Sequence, residues 1–421
     1  MDKFIIHGGK QLRGKVKVSG AKNSALALMP AVLLNSGVNV IENTPEVNDI
    51  FTMIKLLRHM GVNSKFENHV LEIDSSNIVS QTAPYEHVKK MRASVYVLGP
   101  LLSRFGYAKV SLPGGCAWGP RPINLHLEAM EKFGASIELD SGYIIAKADR
   151  LIGAKIHFDI SSVGATGNAV MAASLAKGTT LITNAAIEPE IVQLELFLEK
   201  MGTKINGIGT TTLEIEGVDE LKHSQIENIG DRIEAGTLLI AGAITRGDVE
   251  LEYPFSSHIN AVISKLEDSG AKISINQSSV RLNAENISIR NADITTAVYP
   301  GYPTDMQAQW IAYMTLAKGT STIIDTIYLD RFNHVPELIR LGADIHVINN
   351  SAFVKGVEKL KGATVMSTDL RASASLVLAG LAAEGSTEVL RVYHLDRGYQ
   401  RIEEKLKSLG AEIERISTTE F

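Results

Sequence analysis

The sequence has little cysteine, no long apolar run and no excess of positive charge. One cysteine among 421 residues cannot form an internal disulfide or a cysteine-based metal site, which fits a reducing cytoplasm. No apolar run approaches the roughly 20 residues of a membrane-spanning helix, and the N-terminal residues lack the basic and apolar stretches of a secretion signal. The net charge of −5 does not favour binding to nucleic acid or to an anionic membrane. We therefore expect a cytoplasmic protein that holds any anionic ligand through local clusters of cations.

The composition is that of a folded globular protein. Hydrophobic residues make up 45% of the chain and charged residues 21%, which excludes disordered, collagenous and coiled-coil classes. At roughly 100–200 residues per domain, the length predicts two or three domains.

A short phrase recurs six times along the chain: an amphipathic stretch ends in glycine and an alternating strand follows. Each unit also contains a second helical stretch that ends in glycine, as expected for a helix C-terminus. Both series of glycines repeat about every 70 residues, so six units account for the whole length. The two series are Gly61, Gly134, Gly202, Gly270, Gly342 and Gly410, and Gly37, Gly106, Gly178, Gly247, Gly319 and Gly385.

Each unit is predicted to fold as βαβαββ, with one buried helix and one outer helix. The first helix is apolar or small on nearly all sides, as in residues 24–34, so we expect it to be buried. The second helix is amphipathic, as in residues 49–59, and should lie on the outside.

The two chain ends are predicted to meet in one sheet. The last unit stops after a single strand, and residues 4–9 are similar to the hairpin strand that it lacks. We therefore predict an α/β (α+β) protein of two similar domains with three units each. One domain comprises residues 21–230, and the other comprises residues 1–20 and 231–421 and is closed by the N-terminal strand.

Charged residues fall at one position of the repeat, the start of each buried helix. Asp, Ser and Thr at helix starts are most simply read as N-caps. Cations are disfavoured there, so Lys22, Arg92 and Arg371 are better explained as ligands of an anion. The residues that the cap reading explains are Ser162, Thr304, Asp231 and Asp369.

The cysteine lies in an irregular segment, residues 112–122, that is rich in glycine and proline. A lone cysteine is usually a buried structural thiol. Cys116, however, is five residues from Arg121, and a nearby cation makes a thiol more reactive, so we favour a reactive Cys116. Trp118 either stacks on a ligand or packs on the body of the protein.

A third pattern pairs Asp396-Arg397-Gly398 with Asp330-Arg331-Phe332 at the same position of two units. Each is either a helix cap followed by a solvated arginine or a functional pair. No GxGxxG motif opens a βαβ unit and no P-loop occurs, so a dinucleotide cofactor is not indicated. The eleven histidines show no metal-binding spacing, and the sequence requires neither metal nor cofactor.

Together these segments resemble the bacterial UDP-N-acetylglucosamine enolpyruvyl transferases, and the match covers the whole chain. The family fold has two domains, each of three βαβαββ units with helices inside, an inside-out α/β barrel that 5-enolpyruvylshikimate-3-phosphate synthase shares. The segments that carry the resemblance are residues 20–23, 113–122, 162–166, 231–234, 303–307, 369–373 and 396–399.

The resemblance implies a transferase without a cofactor that uses phosphoenolpyruvate and UDP-N-acetylglucosamine in the first committed step of peptidoglycan synthesis. Such an enzyme serves cell wall formation, cell shape and division, and is a target of fosfomycin. The resemblance gives catalytic roles to Cys116, Asp305, Lys22, Arg397 and Asp369. Asp305 would take the proton of the sugar 3-hydroxyl, Cys116 would act as the acid, and Asp369 would assist. The resemblance assigns phosphoenolpyruvate binding to Lys22, Asn23, Arg121, Arg371 and Arg397. It assigns the UDP-sugar site to Arg92, Arg121, Pro122, Ile123, Asn124, Leu125, Ser162, Val163, Gly164, Asp305 and Ile327.

Three positions depart from the family pattern. Trp118 stands where a small aliphatic residue is common, Asn124 where Asp is common, and Ile160 where some members have Lys. Trp118 would affect the loop, Asn124 would affect sugar or nucleotide contacts, and Ile160 loses a phosphate contact. None of these departures removes a group to which the resemblance gives a catalytic role.

Two other functions stay open at this point. One is an enolpyruvyl transferase with another acceptor of the shikimate 3-phosphate type, which the cysteine segment and residues 231–234 disfavour. The other is a catalytically idle relative that binds UDP-sugar as a regulator. The oligomeric state does not follow from the sequence.

Overall fold

The computed structural model describes residues 2–89, 91–112 and 123–417, which form 24 strands. Most strands have three to six residues and alternate between buried and exposed side chains. In chain order they are β1 (Asp2–His7), β2 (Arg13–Lys17), β3 (Val38–Glu42), β4 (Asn63–Glu67), β5 (Val70–Asp74), β6 (Thr82–Ala83), β7 (Tyr107–Ser111), β8 (Ser136–Asp140), β9 (Tyr143–Lys147), β10 (Lys155–His157), β11 (Thr179–Thr183), β12 (Lys204–Asn206), β13 (Thr212–Glu216), β14 (Gln225–Glu227), β15 (Asp248–Glu252), β16 (Lys272–Ile275), β17 (Ser279–Asn283), β18 (Ile294–Thr295), β19 (Thr320–Ile324), β20 (Asp344–Ile348), β21 (Ser351–Lys355), β22 (Thr364–Met366), β23 (Ser386–Leu390) and β24 (Glu412–Ser417).

The same residues form 13 α-helices and five 3₁₀ helices. The α-helices are α1 (Lys22–Ala31), α2 (Asn48–His59), α3 (Tyr85–Val88), α4 (Leu98–Phe105), α5 (Asn124–Lys132), α6 (Val163–Ala173), α7 (Pro189–Met201), α8 (Arg232–Ile244), α9 (Asn260–Asp268), α10 (Gln307–Met314), α11 (Val335–Arg340), α12 (Leu370–Ala382) and α13 (Ile402–Ser408). The 3₁₀ helices are Val32–Leu34, Arg92–Val97, Ser256–Ile259, Thr304–Met306 and Val392–Arg397.

The chain divides into two compact units, Gly20–Ile229 and a second unit of Met1–Ser19 with Gly230–Phe421. Each unit has its own hydrophobic core, and no core cluster of the described residues draws on both. Whether each unit folds independently as a domain stays a prediction.

Each unit contains three four-stranded sheets of one design. A short strand runs parallel to the next strand, and two antiparallel strands complete the sheet. Because the described strands form separate sheets of four, no sheet among them closes into a hydrogen-bonded barrel. The orders are β14-β3-β5-β4, β6-β7-β9-β8 and β10-β11-β13-β12 in one unit, and β2-β15-β17-β16, β18-β19-β21-β20 and β22-β23-β1-β24 in the other.

The first helix of each repeat is buried, as the sequence predicts. Helices α8, α10 and α12 pack against one another within the second unit, and nearly all their residues are shielded from solvent. One second helix departs from the prediction that it lies outside: most residues of α7 are buried, because it packs against both α1 and α6.

The strand that precedes the buried helix does not always join the sheet of its own repeat. β2 precedes α1 along the chain but pairs with β15, and β14 precedes α8 but pairs with β3. The first and fourth repeats have the predicted βαβαββ order along the chain, but their first strands join another sheet, because the chain passes between units directly after each of these strands. In both cases the pairing strand lies in the same unit as its sheet.

The N-terminal strand fills the gap in the last repeat. β1 lies between β23 and β24 and is antiparallel to both, with Phe4 opposite Val389 and Arg415. In the other repeats the second strand of a hairpin occupies this place, so the pairing expected for residues 4–9 is present.

The repeating glycines have a conformational cause. All six glycines that follow the second helices have φ between 91° and 114°, in the left-handed region that side chains disfavour. Gly247 of the other series differs, since Arg246 takes the positive φ there. A Cβ at Gly247 would lie 2.0 Å from the carbonyl oxygen of Leu12, so close approach requires this glycine.

Candidate functional site

Lys22 is the first residue of α1 and is buried. Its Nζ lies 3.4 Å from Oδ2 of Asp49, which is itself only 4% exposed in the first turn of α2. A buried ammonium needs such a counter-charge, because burial disfavours the charged form. Asn23 follows Lys22 in the helix and is half-buried. Lys22 was predicted from the sequence, whereas Asp49 was not.

Arg92 begins the 3₁₀ helix Arg92–Val97 and influences two buried rings. Burial, together with the smaller effect of the Arg92 charge, lowers the pKa of His126 to about 4. Burial also raises the pKa of Tyr96 well above its ordinary value, and the carboxylates of Glu190 and Glu188 add to the rise. His126 is therefore neutral and Tyr96 protonated near pH 7.

The tautomer of His126 follows from its neighbour Asn168. The amide oxygen of Asn168 accepts a hydrogen bond from the N–H of Gly99 at 2.8 Å, and its nitrogen donates to the carbonyl of Val95 at 3.1 Å. The same nitrogen lies 2.8 Å from Nδ1 of His126, so Nδ1 accepts and Nε2 carries the proton. A Cβ at Gly164 would lie 2.9 Å from that Nε2, so the ring sits directly against the start of α6.

Helix α6 begins with the predicted UDP-sugar residues. Oγ of Ser162 accepts a hydrogen bond from the N–H of Ala165 at 3.3 Å, which agrees with its reading as an N-cap. Val163 is partly exposed, and its carbonyl accepts a hydrogen bond from the hydroxyl of Tyr96 at 3.4 Å. These contacts tie Tyr96 and Ser162 to the same helix end.

The cysteine segment lies largely outside the described residues. Cys116, Trp118, Arg121 and Pro122 belong to it, and the roles given to them stay predictions. Ile123 precedes α5, Asn124 begins that helix and is exposed, and Leu125 is half-buried against the core. The side-chain amide of Asn124 donates to Glu128 one turn later, at 3.2 Å.

In the other unit, Asp305 bridges two arginines. Its Oδ1 lies 2.8 Å from Nη1 of Arg331, and its Oδ2 lies 2.9 Å from Nη2 of Arg371. Asp305 is in the 3₁₀ helix Thr304–Met306, whereas Arg371 is in the first turn of α12. The Arg331 side chain is only 13% exposed, so the alternative of a solvated arginine is wrong at this position.

Arg371 is almost fully enclosed. Burial alone would lower its pKa, but the negative charge of Asp305, with Tyr399 and Asp231, outweighs burial and raises the pKa above its ordinary value. The guanidinium lies 5.4 Å from the centre of the Tyr399 ring. Arg371 is therefore a permanent cation that faces acidic and aromatic groups within its own unit.

Three of the four proposed N-caps are present. Asp231 accepts hydrogen bonds from two N–H groups at the start of α8, and Asp369 does so at the start of α12. The cap prediction is wrong for Thr304, because its hydroxyl instead donates to Oδ2 of the buried Asp325 at 2.7 Å. The other oxygen of Asp325 accepts from the N–H groups of residues 327 and 328, and so it fixes the loop that carries the half-exposed Ile327.

Asp369 and Arg397 act on a common neighbour, His394. Burial lowers the pKa of His394, the charges of Arg397 and Arg391 lower it further, and Asp369 acts in the opposite direction. Arg397 ends the 3₁₀ helix Val392–Arg397 and is half-buried. Asp396 does not cap a helix but pairs with Arg415, so the cap alternative is wrong there as well.

The structure thus brings the predicted residues together in groups within each unit. Asp305 pairs with Arg371, and Asp369 and Arg397 both act on His394. Asp49 and His126 were not predicted from the sequence, because each is an ordinary polar residue within an amphipathic helix, and no role was predicted for Tyr399 of segment 396–399. Within the described ranges, no cluster of three or more His, Cys, Asp or Glu could hold a metal ion, and no helix is long and apolar enough to cross a membrane.

Comparisons with known proteins agree with one another. Residues 6–406 match the family model of EPSP synthase (3-phosphoshikimate 1-carboxyvinyltransferase). A protein of Chloroherpeton thalassium named UDP-N-acetylglucosamine 1-carboxyvinyltransferase is 61% identical over all of this chain and 99% of its own, and one of Chlorobium luteolum with the same name is 56% identical over the full length of both.

Solved structures share the fold. The enolpyruvyl transferase NikO from Streptomyces tendae is 26% identical with a TM-score of 0.89 over 99% of both chains. An EPSP synthase from Acinetobacter baumannii is 18% identical with a TM-score of 0.76 over 99% of this chain and all of its own, which is a likeness of fold alone.

Proposed function

Because the chain belongs to the EPSP synthase family of enolpyruvyl transferases, we propose that it transfers the enolpyruvyl group of phosphoenolpyruvate to the 3-hydroxyl of UDP-N-acetylglucosamine and releases phosphate. This reaction is the first committed step of peptidoglycan precursor synthesis. The observation that carries the choice of acceptor is the 61% full-length identity to a relative named for UDP-N-acetylglucosamine.

The reaction needs a general acid, a general base and cations at the leaving phosphate. Protonation of C3 of phosphoenolpyruvate develops positive charge at C2, where the sugar hydroxyl adds as it loses its proton. The tetrahedral ketal then expels phosphate while C3 gives up a proton, which restores the double bond.

Asp305 is the proposed base for the 3-hydroxyl. Its ion pairs with Arg331 and Arg371 hold the carboxylate in one position. We expect Asp305 to take the proton as C2 becomes positive, because the hydroxyl becomes acidic only as it adds to C2.

Cations would hold the phosphate and carboxylate of phosphoenolpyruvate. The proposed set is Lys22, Asn23, Arg121, Arg371 and Arg397. Support among the described residues comes from the burial of Lys22 and Arg371, since a cation kept at low exposure beside a helix start is suited to an anion. Cys116 is the proposed acid toward C3, and Asp369 would assist the proton movements.

The UDP-sugar is proposed to contact residues near the starts of α5 and α6, together with Asp305 and the Ile327 loop. Support comes from the exposure of Val163 and Ile327, two apolar side chains at positions available to a ligand. The proposed residues are Arg92, Arg121, Pro122, Ile123, Asn124, Leu125, Ser162, Val163, Gly164, Asp305 and Ile327.

One assay tests the function. Phosphate release from phosphoenolpyruvate is measured with UDP-N-acetylglucosamine or with shikimate 3-phosphate as acceptor. We expect release with the nucleotide sugar only. Release with shikimate 3-phosphate alone would favour the other acceptor class, and no release with either, combined with binding of UDP-N-acetylglucosamine, would favour the idle regulatory relative.

The role of Cys116 is tested with fosfomycin. The thiolate would open the epoxide by attack on carbon, and the released oxygen would take up a proton, which leaves a thioether. Mass spectrometry should find the adduct on Cys116, formed faster when UDP-N-acetylglucosamine is present. Equal labelling with and without the sugar nucleotide would contradict that coupling, and the C116S variant supplies the unlabelled control.

We also propose a cytoplasmic location. It is supported by the single cysteine, which is typical of a reducing compartment, and by the small-molecule substrates of the proposed reaction. Fractionation of cells that express the protein, with phosphate release assayed in each fraction, tests this location.

A further inference from the structure

Arg415 on β24 binds three carboxylates from three different elements. Its Nη2 and Nη1 lie 2.6 and 2.9 Å from the two oxygens of Asp396, a bidentate pair. Its Nε lies 2.7 Å from Asp2, and Nη1 also lies 3.3 Å from Glu403. The Phe4 ring is 5.8 Å from the guanidinium. No substrate role has been given to Arg415, and it does not belong to any motif.

The partners of Arg415 enclose a short segment of chain. Asp396 directly precedes Arg397 in the 3₁₀ helix Val392–Arg397, and Glu403 lies in the first turn of α13. One guanidinium therefore holds both sides of residues 397–402. Asp2 belongs to β1, which lies beside β24, and so connects Arg415 to the sheet rather than to this segment.

The segment needs external support. Arg401, within the segment, and Arg391, directly before the 3₁₀ helix that leads into it, have φ of 42° and 58°, a left-handed conformation that is unfavourable for a residue with a side chain. Local propensity does not favour this path, so tertiary contacts have to maintain it. Among the described residues near Arg397, the bidentate pair of Asp396 with Arg415 is the most directional ion pair that supplies such a contact.

We propose that Arg415 is a positioning residue for phosphoenolpyruvate binding: it fixes Asp396 and thereby sets the backbone position of Arg397. This inference rests on the proposed function, in which Arg397 contacts the anionic substrate. Arg415 itself stays with its three carboxylates, whose combined charge exceeds its own, so it is not available as a ligand of that anion.

The pair of Arg415 with Asp396 affects the geometry of the segment more than the stability of the protein. The side chains of Arg415 and Asp396 are 29% and 24% exposed, so the pair contributes modestly to folding. Binding is more sensitive, because a shift of about 1 Å in a charged ligand can reduce catalytic efficiency on the order of a hundredfold. Loss of Arg415 would also leave three neighbouring carboxylates without their common cation, and their repulsion would move the segment.

Steady-state kinetics on the full chain test the proposal. Phosphate release is measured with each substrate varied while the other is saturating, for the wild type and for R415M, R415K, D396N and D2N. R415M should raise the KM for phosphoenolpyruvate about tenfold or more while the KM for UDP-N-acetylglucosamine stays within about twofold. The KM of R415K for phosphoenolpyruvate should lie between the values of R415M and the wild type, because an ammonium restores the charge but not the bidentate geometry.

Two of these variants, D2N and D396N, separate positioning from general stability. D2N removes one partner of Arg415 that does not touch the Arg397 segment, so its thermal stability should fall without a change in either KM. D396N should reproduce the R415M effect, and the double variant R415M/D396N should be no worse than R415M, as expected for two groups that act as one pair.

The outcomes are distinct. A wild type that releases no phosphate overturns the proposed function and this inference with it. A wild type that turns over, with an unchanged KM for phosphoenolpyruvate in R415M, overturns this inference alone. An equal rise in KM for both substrates in R415M would show a structural role only and would also overturn this inference. The same change of KM in D2N would do so as well. If R415M does not fold, R415K and D396N decide by the same criteria.

Discussion

At the residue scale, the described functional candidates are charged groups that already have partners in the protein. Lys22 has Asp49, and Asp305 has Arg331 and Arg371. Such pairing offsets the cost of keeping a charge away from water and holds a long side chain in one position. The partner is therefore part of the site even when it does not contact the substrate.

The variant D49N tests whether the partner of a buried cation is part of the site. We expect D49N to lower kcat/KM for phosphoenolpyruvate about tenfold, because the buried ammonium of Lys22 would lose its orienting counter-charge. The phosphate-release assay with phosphoenolpyruvate varied measures the change. D74N, which removes a carboxylate on β5 of the same unit, is the control for net charge and should retain wild-type kinetics. Wild-type kinetics in D49N would refute the role of Asp49.

The burial of Glu195 predicts that the free energy of unfolding depends on pH. It is almost fully buried in α7, and burial raises its pKa to about 7 from 4.5, while a hydrogen bond from the N–H of Gly209 acts in the opposite direction. Between these two values the unfolded chain releases the proton and the folded chain keeps it, so the contribution of Glu195 to stability falls as pH rises.

The variant E195Q keeps the acceptor for Gly209 and cannot ionise. Its free energy of unfolding should match that of the wild type near pH 4 and exceed it by roughly 3 kcal/mol at most above pH 7. Urea unfolding followed by circular dichroism at several pH values measures the difference. E199Q, at an exposed position of the same helix, should show no such trend. A constant difference between E195Q and the wild type across this pH range would count against the prediction.

At the element scale, many strands are short and alternate between buried and exposed side chains, so the connections of the chain decide which sheet each strand joins. β2 and β14 each join a sheet whose other three strands come from a distant part of the sequence, and β1 completes the sheet of the last repeat. A strand between two neighbours contributes hydrogen bonds on both edges and apolar side chains to the core. β1 should therefore be important for the stability of its unit.

Substitution of Phe4 measures how much β1 contributes to the stability of its unit. The side chain is fully buried, so F4A should reduce the free energy of unfolding by about 3–5 kcal/mol, whereas H7A on the exposed end of the strand should change it by less than about 0.5 kcal/mol. In a W118F background the buried Trp310 is the single tryptophan, so its fluorescence reports this unit alone. A loss below about 1 kcal/mol for F4A would mean that β1 is only loosely docked.

At the scale of the whole molecule, the chain forms two compact units joined by two crossings, near residues 19–20 and 229–230. The hydrophobic clusters stay within the units, which is the usual property of separate domains. We therefore expect each unit to have its own free energy of unfolding, which a probe specific to that unit measures.

Limited proteolysis tests the division. We expect the fragment 20–229 to persist after cleavage near both crossings, and the segment 1–19 to remain associated with 230–421 because β1 and β2 are strands of that unit. Mass spectrometry identifies the fragments, and size-exclusion chromatography shows which of them stay together. Recovery of residues 1–230 as one stable fragment, with 21–230 unstable, would contradict this boundary.

Much of the candidate site could be proposed from sequence because it lies at repeated positions. Lys22, Arg92 and Arg371 are recognisable in the sequence because they are cations at the starts of helices that are otherwise apolar. Asp49, His126 and Arg415 could not be found in this way, since each is an ordinary polar residue within an amphipathic element. Their significance depends on what they contact, and Arg415 meets Asp2 across 413 residues of sequence.

The sequence by itself determined the six repeats, the burial of the first helices, the left-handed glycines after the second helices and three of four helix caps. All of these depend on interactions within a few residues, so periodicity and residue type are sufficient. Only the tertiary structure decided which sheet receives β2 and β14, why α7 is buried, and which carboxylate each cation meets. Such choices depend on contacts between elements that are distant in sequence, and strands and charges of the same pattern do not specify their partners.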